Sequence, residues 1–256
     1  PVDMDTLNRT LEDLQSNAMN ISMPKSAVVP VVSLRGGVGV STVAANLAVI
    51  FQRIAPTVLW DLSPNSGHSA LFLGLKPTTH WGDYLKDPTQ TLNTYLLEHQ
   101  SGLRVLCAPP IPPEDRGFTE SNIEIVLRSL TGAGQLIVID MPPRITATER
   151  ALLAQAHRIV LLTGDDPASV QTTLATLRVL RPWRDRILVV HNATSPDQRP
   201  NAQALQEMMH VPIKVDLPYD PAQQRAMRRG TPLARLQPQS PLATGLKRTA
   251  RAALRG

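Results

Sequence analysis

Residues 33–42 read SLRGGVGVST and stand between an apolar run, Ala27–Leu34, and a helix-like run, Ser41–Arg53. A glycine-rich turn that leaves a buried strand and enters a helix is typical of phosphate-binding loops, because its backbone N–H groups and the positive end of the helix attract anions. The position before Ser41 usually carries a lysine in such loops, but here it is Val40. A valine side chain cannot neutralise charge on a phosphoryl group. The stretch therefore predicts a loop that binds phosphate but lacks the lysine that assists phosphoryl transfer.

The rest of the chain alternates short apolar runs with helical patterns. Near-continuous apolar runs are typical of strands that are buried on both faces. The predicted strands are Ala27–Leu34, Thr57–Asp61, Leu103–Ala108, Leu136–Asp140, Arg158–Thr163, Ile187–His191 and Pro212–Val215. The predicted helices are Ser41–Arg53, Ser121–Leu130, Thr146–Ala156, Ala168–Leu180, Ala202–Met209, Pro221–Arg229 and Leu242–Leu254. This alternation predicts an α/β fold with a doubly wound, mostly parallel sheet flanked by helices, which binds ligands at the carboxyl ends of its strands.

The beginning of the chain differs from the rest. Apolar residues recur at helical spacing between positions 4 and 14, and a polar run from Asn20 to Ser26 follows. We expect residues 1–26 to form a short helix and a linker, which either packs on the main domain or connects it to an upstream region. Residues 27–256 are expected to form one nucleotide-binding domain. Because the first residue is proline, we expect the chain to be a processed product or a piece of a longer protein.

Composition excludes several classes of protein. Cys107 is the single cysteine, so an internal disulfide is excluded. No stretch approaches the roughly 18 uncharged apolar residues of a membrane span. The sequence also shows no cluster of histidines, cysteines and carboxylates that would indicate a transition-metal site. We therefore expect a cytoplasmic protein without a transmembrane segment.

The net charge of +5 comes from the C-terminal region. No acidic residue follows Asp220, whereas eight basic residues do: Arg225, Arg228, Arg229, Arg235, Lys247, Arg248, Arg251 and Arg255. The apolar residues of the last predicted helix share one face. This pattern permits three interpretations: a helix packed on the core with solvated cations, a surface that contacts an anionic membrane, and a surface that binds nucleic acid through its phosphates.

Several segments carry a family resemblance together with the loop. They occur in a fixed order after RGGVGVST: Asp61, SGLRVLCAP at 101–109, LIVIDMPP at 136–143, Asp166-Pro167, VVHN at 189–192, LPYD at 217–220 and RGTPL at 229–233. From Ala27 to the C-terminus the chain resembles the deviant P-loop ATPases of the MinD/ParA superfamily, whose loop usually reads KGGVGKST. It is most similar to the CpaE/TadZ pilus-assembly branch, in which the second lysine is often replaced by a small residue.

The resemblance implies that the chain binds ATP or ADP with Mg²⁺. Ser41 and Asp140 are expected to hold the metal ion, the latter through water, and Thr42 is expected to touch the α-phosphate. A mere helix cap is the alternative role for Ser41 and Thr42. The expected phosphate-binding residues are Gly36, Gly37, Val38, Gly39, Val40, Ser41 and Thr42.

Three expected catalytic residues follow from the same resemblance: Arg35, Asp61 and Asp140. Arg35 occupies the position from which MinD-like proteins reach across a nucleotide-sandwich dimer to the partner's phosphates, and the alternative is a solvated arginine. Asp61 matches the first switch acid. Ser63 stands where active relatives often carry an aspartate that orients the attacking water, and a hydroxyl is a poorer proton acceptor. With Val40, this makes two departures that predict slow hydrolysis or none.

The base of the nucleotide is expected to lie near the end of the strand Ile187–His191. Asn192 matches the family's adenine-recognising asparagine, whose amide can donate to and accept from the purine edge, and the alternative is a turn residue. Pro218 fits the loop that covers the base. The Asn-Lys-x-Asp pattern that reads guanine does not occur, so the sequence predicts adenine.

The resemblance also implies a function. We expect a homodimeric switch that binds ATP and positions a Flp or type IV pilus or a secretion assembly, at a cell pole or at the inner face of the membrane. The first alternative is a pseudo-ATPase that serves as a dimeric scaffold. The second is a ParA-type DNA-partitioning protein or a protein that localises cellulose synthesis. The basic C-terminal region leaves contact with a membrane or with nonspecific DNA open.

Overall fold

The computed structural model describes residues 26–63, 67–87, 89–110, 118–196 and 201–255. Within these ranges, eight strands form one sheet in the order β3-β4-β2-β5-β1-β6-β7-β8. Every neighbouring pair is parallel except β3 and β4. The prediction of a doubly wound, mostly parallel sheet is therefore confirmed. The strands are β1 Ala27–Val32, β2 Thr57–Asp61, β3 Leu96–Glu98, β4 Arg104–Leu106, β5 Leu136–Asp140, β6 Ile159–Thr163, β7 Ile187–Asn192 and β8 Val215–Leu217.

Helices cover both faces of the sheet. They are α1 Val40–Gln52, α2 Ser69–Phe72, α3 Trp81–Lys86, α4 Glu120–Ala133, α5 Ala147–Ala154, α6 Pro167–Val179, α7 Ala202–Met209, α8 Ala222–Arg228, α9 Leu233–Leu236 and α10 Pro241–Leu254. Two 3-10 turns, Leu92–Tyr95 and Arg181–Arg186, precede β3 and β7. No helix in the described ranges combines the length and the apolar character that crossing a bilayer demands.

Most of the core forms two apolar layers because successive strand side chains point to opposite faces of the sheet, and a small third cluster joins α6 and α7. Val29 and Val31 belong to the layer that contains α1 and α10, whereas Val28 and Val32 belong to the layer that contains α4 and α5. Helix α1 is buried throughout residues 43–51, so it lies between the sheet and the helices at the C-terminal end of the chain. This burial fixes the start of α1 at the carboxyl end of β1.

Some element bounds differ from the prediction. The strand predicted at Pro212–Val215 runs instead from Val215 to Leu217, because pairing with β7 sets its position. The sequence patterns missed β3, α2, α3 and α9, which are too short to show a period. Apart from Ser26, the predicted N-terminal helix and linker lie outside the described residues.

Candidate phosphate-binding site

The loop between β1 and α1 has the backbone of an anion site. Gly37 and Gly39 have φ values of 85° and 89°, a left-handed conformation that glycine adopts without strain. Gly39 is the N-cap of α1, and it caps the helix without a side-chain hydrogen bond. The first turn of α1 also carries no acidic residue. The first N–H groups of the helix, including those of Ser41 and Thr42, are therefore available to a phosphate.

Asn192 holds this loop from the neighbouring part of the sheet. Its Nδ2 donates to the Val38 carbonyl at 2.8 Å, and the side chain is buried. A Cβ atom at Gly39 would lie 2.6 Å from the same Nδ2, so only glycine leaves room for the amide. Pro218 follows β8, whose Leu217 is in register with Asn192. The structure thus places both predicted base-side residues at the carboxyl ends of neighbouring strands, and it turns the amide donor of Asn192 toward the backbone of the loop.

Replacing Asn192 with alanine is expected to loosen the loop. The substitution leaves the buried Val38 carbonyl without its donor, which costs about 1–3 kcal/mol of the free energy of unfolding. Chemical denaturation measures the loss. Thr172→Ala, a substitution in α6, is the control. Asn192→Ala with unchanged stability would contradict the role of the amide in holding the loop.

Two buried carboxylates stand beside the loop at the carboxyl ends of adjacent strands. Asp61 ends β2 and Asp140 ends β5, and the two residues are directly in register. They are only 1% and 2% exposed. The Ser41 side chain lies close enough to the Asp140 carboxylate to lower the pKa of that group, so the two residues expected to hold Mg²⁺ lie together. Carboxylate and hydroxyl oxygens are the hard ligands that Mg²⁺ prefers, and this donor set therefore fits the ion.

Ser69, at the start of α2, connects the two acids and was not predicted from the sequence. Its N–H donates to Asp61 Oδ2 at 3.1 Å, and its Oγ donates to Asp140 Oδ2 at 2.8 Å. The Ser63 N–H donates to the other oxygen of Asp61 at 3.0 Å. Gly67 passes so close that a Cβ there would lie 2.2 Å from Asp61 Oδ2. Ser69 follows a stretch without regular periodicity, so only the structure could reveal this contact.

Burial and mutual repulsion favour the protonated forms of the two acids. Burial and, second, the charge of Asp140 raise the pKa of Asp61 to about 8. Burial raises the pKa of Asp140 to about 6, against the opposing effect of the Ser41 and Ser69 side chains. Two carboxylates in such a position are unfavourable when both are charged. A divalent cation bound beside them would favour the charged forms.

Arg35 lies at the entrance of the loop and is paired within the chain. Its Nη2 is 3.7 Å from Asp166 Oδ1, and both side chains are about half exposed. Asp166 caps α6 by accepting from the Ser169 N–H at 3.0 Å. A hydrogen bond from the Ser169 hydroxyl is the largest of the effects that lower the pKa of Asp166, and the charge of Arg35 contributes less. The guanidinium is therefore held near the loop by an exposed and hence weak ion pair.

The remaining predicted site residues have different surroundings. Val40 begins α1 and packs partly against the core layer that contains α1. The Thr42 carbonyl accepts from Asn46 Nδ2 at 2.8 Å. Asn46 Oδ1 in turn accepts from the Ala234 N–H at 2.8 Å, which joins α1 to α9. Asn46 is buried and was not predicted from the sequence.

Two known structures superpose on most of this chain. A ParA family ATPase from Chlorobium tepidum superposes with a TM-score of 0.79 at 18% identity, over 88% of this chain and 99% of that chain. The septum site-determining protein MinD from Pyrococcus horikoshii, solved with Mg-ADP, gives 0.72 at 21% identity, over 89% and 95%. The chain has the MinD/ParA ATPase fold.

Two curated proteins are similar to this MinD/ParA-fold chain in sequence. An uncharacterised ATP-binding protein of Methanocaldococcus jannaschii is 23% identical over 223 residues, which are 85% of this chain and 84% of that protein. The flagellum site-determining protein YlxH of Helicobacter pylori is 24% identical over 200 residues, 69% of this chain and 64% of that protein. No protein-family model matches the chain.

Proposed function

We propose that this chain is a MinD/ParA-like localisation switch that binds ATP and ADP with Mg²⁺. The observation that carries the proposal is the placement of Ser41 beside Asp140, directly after a glycine-rich loop that leads into the N-terminus of α1. The Mg-ADP in the P. horikoshii MinD structure and the ATP-binding relative of M. jannaschii support the choice of ligand. Adenine is the proposed base, with Asn192 and Pro218 on its side of the site.

Different residues of the chain are proposed to bind the phosphates and the metal ion. The loop Gly36–Gly39 and the start of α1 bind phosphate oxygens through backbone N–H groups. Ser41 and Asp140 hold the metal ion, which supplies positive charge against the β- and γ-phosphates. Asp61 is held by two backbone N–H donors and completes the acidic end of the site. Val40 supplies no charge to the phosphates, so binding is expected to exceed catalysis.

Dimerisation is the proposed output of the switch. In the proposed dimer, Arg35 leaves its exposed partner Asp166 and reaches the phosphates bound by the other protomer. An exposed ion pair contributes about 0–1 kcal/mol, so its loss is a small cost against a charge-assisted phosphate contact. The cargo we propose is a Flp or type IV pilus or a secretion assembly at a cell pole or at the inner membrane face, as in CpaE/TadZ-like proteins.

The experiment that tests this function follows dimer content and phosphate release together. The intact chain is titrated with ATP and with ADP in the presence of Mg²⁺, and its mass is followed by light scattering. We expect ATP to produce dimers with slow release of phosphate, and Asp140→Ala to remove the effect. Binding of ATP with no phosphate release and no change in dimer content would favour the alternative of a pseudo-ATPase scaffold. Absence of nucleotide binding would contradict the switch.

A second candidate function is ParA-type contact with nonspecific DNA. It is favoured by a basic cavity at the amino end of β7, whereas the proposed nucleotide site lies at the carboxyl ends of the strands. The cavity measures about 560 Å³, and its lining includes Ile187 and Leu188 at the start of β7. The apolar face of α10 is buried in the core, so that face is not available for insertion into a membrane. Five cations and the acid Asp185 also line the cavity; the cations are Arg158, Lys214, Arg248, Arg251 and Arg255.

Salt dependence tests the DNA contact. Each phosphate neutralised by a cation contributes about one unit to the slope of log K against log salt. The double variant Lys214→Ala/Arg251→Ala is therefore expected to reduce that slope by about two units. Arg225→Ala, an exposed arginine of α8 that does not line the cavity, is the matched control. Equal slopes for the wild type and the double variant would remove this function.

A further inference from the structure

Helices α2 and α8 end in the same motif. Each is followed by a glycine in the left-handed conformation, Gly74 with φ 67° and Gly230 with φ 57°. In each case the N–H group of the next residue reaches back five positions to a helix carbonyl, at 2.9 Å and 3.1 Å. This is the Schellman C-cap, which requires a residue that tolerates positive φ. Two short helices thus carry matching glycine caps.

The two caps are packed directly against each other. A Cβ atom at Gly74 would lie 2.8 Å from the Gly230 carbonyl oxygen. A Cβ atom at Gly230 would lie 2.6 Å from Gly74 Cα and 3.3 Å from the Leu71 carbonyl oxygen. These neighbours are backbone atoms, which cannot rotate away as a side chain can. The ends of α2 and α8 therefore fit together only with glycine at both positions.

The N-terminal ends of α2 and α8 lie on two different sides of the proposed nucleotide site. Helix α2 begins with Ser69, which donates to both Asp61 and Asp140 on the metal side. Helix α8 directly follows the loop of Pro218 on the base side, and Asp220 fixes its start by accepting from the Ala222 N–H at 2.9 Å. With only four and seven residues, the helices leave little length over which a displacement can be absorbed.

We propose that the contact between the Gly74 and Gly230 caps couples the acid pair to the base-covering loop, with Ser69 as the positioning residue. The inference rests on the proposed nucleotide site, whose regulation it describes. A change in what Asp140 binds displaces Ser69, α2 moves as a unit, and the cap of α8 follows. The α9 segment beyond this cap is held to α1 by Asn46, so the displacement is directed toward Pro218.

Hydrogen exchange of the ligand-free protein tests the coupling without nucleotide. Ser69→Ala removes the hydroxyl contact, and we expect amides 228–231 to exchange about fivefold faster, the lower end of typical couplings between sites. Ser69→Thr keeps a hydroxyl and is expected to restore the slow exchange. Gly132→Ala, at a glycine with open space around its Cβ position, is the control and leaves these amides unchanged. Normal exchange of amides 228–231 in a folded Ser69→Ala variant would overturn the coupling.

The reverse direction provides an independent variant. Gly230→Ala is expected to accelerate exchange of amides 67–72 about fivefold, because coupling between two sites is reciprocal. Unchanged exchange at 67–72 in that variant would overturn the inference even if Ser69→Ala did not fold. Adding Mg-ADP to the wild type separates the two proposals: slower exchange across α1 supports the nucleotide site, and its absence contradicts the proposed function. In that case the ligand-free comparison still decides the coupling.

Discussion

Asp140→Asn is expected to stabilise the ligand-free protein at pH 8 and to abolish the effect of Mg²⁺ on nucleotide binding. The substitution removes one of two buried carboxylates that repel each other. An asparagine side chain can still hydrogen-bond to Ser69 and Ser41, since hydroxyl groups both donate and accept. The gain is about 1–3 kcal/mol, equivalent to one or two pKa units. The loss of metal affinity is at least about tenfold.

The same pair of acids determines how stability varies with pH. The pKa values of Asp61 and Asp140 rise on folding from 3.8 to about 8 and about 6. The native state therefore retains protons that the unfolded chain has released, and the free energy of unfolding falls as pH rises from about 4 to about 8. In Asp140→Asn this decline is expected to be shallower.

Denaturation at several pH values, with and without Mg²⁺ and ADP, measures both effects. Asp185→Asn replaces an acid that is 92% exposed, so it serves as the control and is expected to change neither quantity. If Asp140→Asn lost stability at pH 8 while keeping the Mg²⁺ effect, the acids would not be the metal side of the site.

The second large effect is expected from Val40→Lys. Val40 is the first residue of α1 and only partly buried, so a lysine stem can lie along the apolar surface while its ammonium group reaches the phosphates. Supplying one positive group to a developing charge typically changes the rate by about 10²–10³. Because Ser63 still lacks a carboxylate, we expect a smaller gain in phosphate release, about tenfold.

Val40→Met separates charge from side-chain size. Methionine has a similar length and no charge, so it is expected to leave phosphate release at the wild-type level. Steady-state phosphate release under saturating ATP and Mg²⁺ gives the comparison. No gain in Val40→Lys with unchanged ATP affinity would show that Ser63 or Arg35, rather than Val40, limits the chemistry.

Local patterns in the sequence were sufficient to predict the strands that are buried on both faces. The structure has two of these strands with the predicted bounds, Thr57–Asp61 and Leu136–Asp140. Each is a continuous apolar run that ends in an acid, so the sequence itself marks where the strand ends. The strand predicted at Pro212–Val215 was displaced, because its bounds depend on pairing with β7. The short helices α2 and α9 have no period from which to predict them.

The site was predicted only where a motif defines it. The loop and the residues Ser41, Asp140 and Asn192 follow from spacing and resemblance, and the structure brings them together. Ser69 and the Gly74–Gly230 contact arise from residues distant in sequence that meet only after folding. The Asn192 Nδ2 also donates to the Val38 carbonyl, a contact that no local sequence pattern could indicate.

Calorimetric titration of ADP into the intact chain, with and without Mg²⁺, tests most directly whether this loop is a nucleotide site. We expect saturable binding of one ADP per chain that Mg²⁺ strengthens, and a loss of that strengthening in Asp140→Ala. Absence of saturable binding, or binding that is equally strong without Mg²⁺ and in Asp140→Ala, would contradict the proposed site.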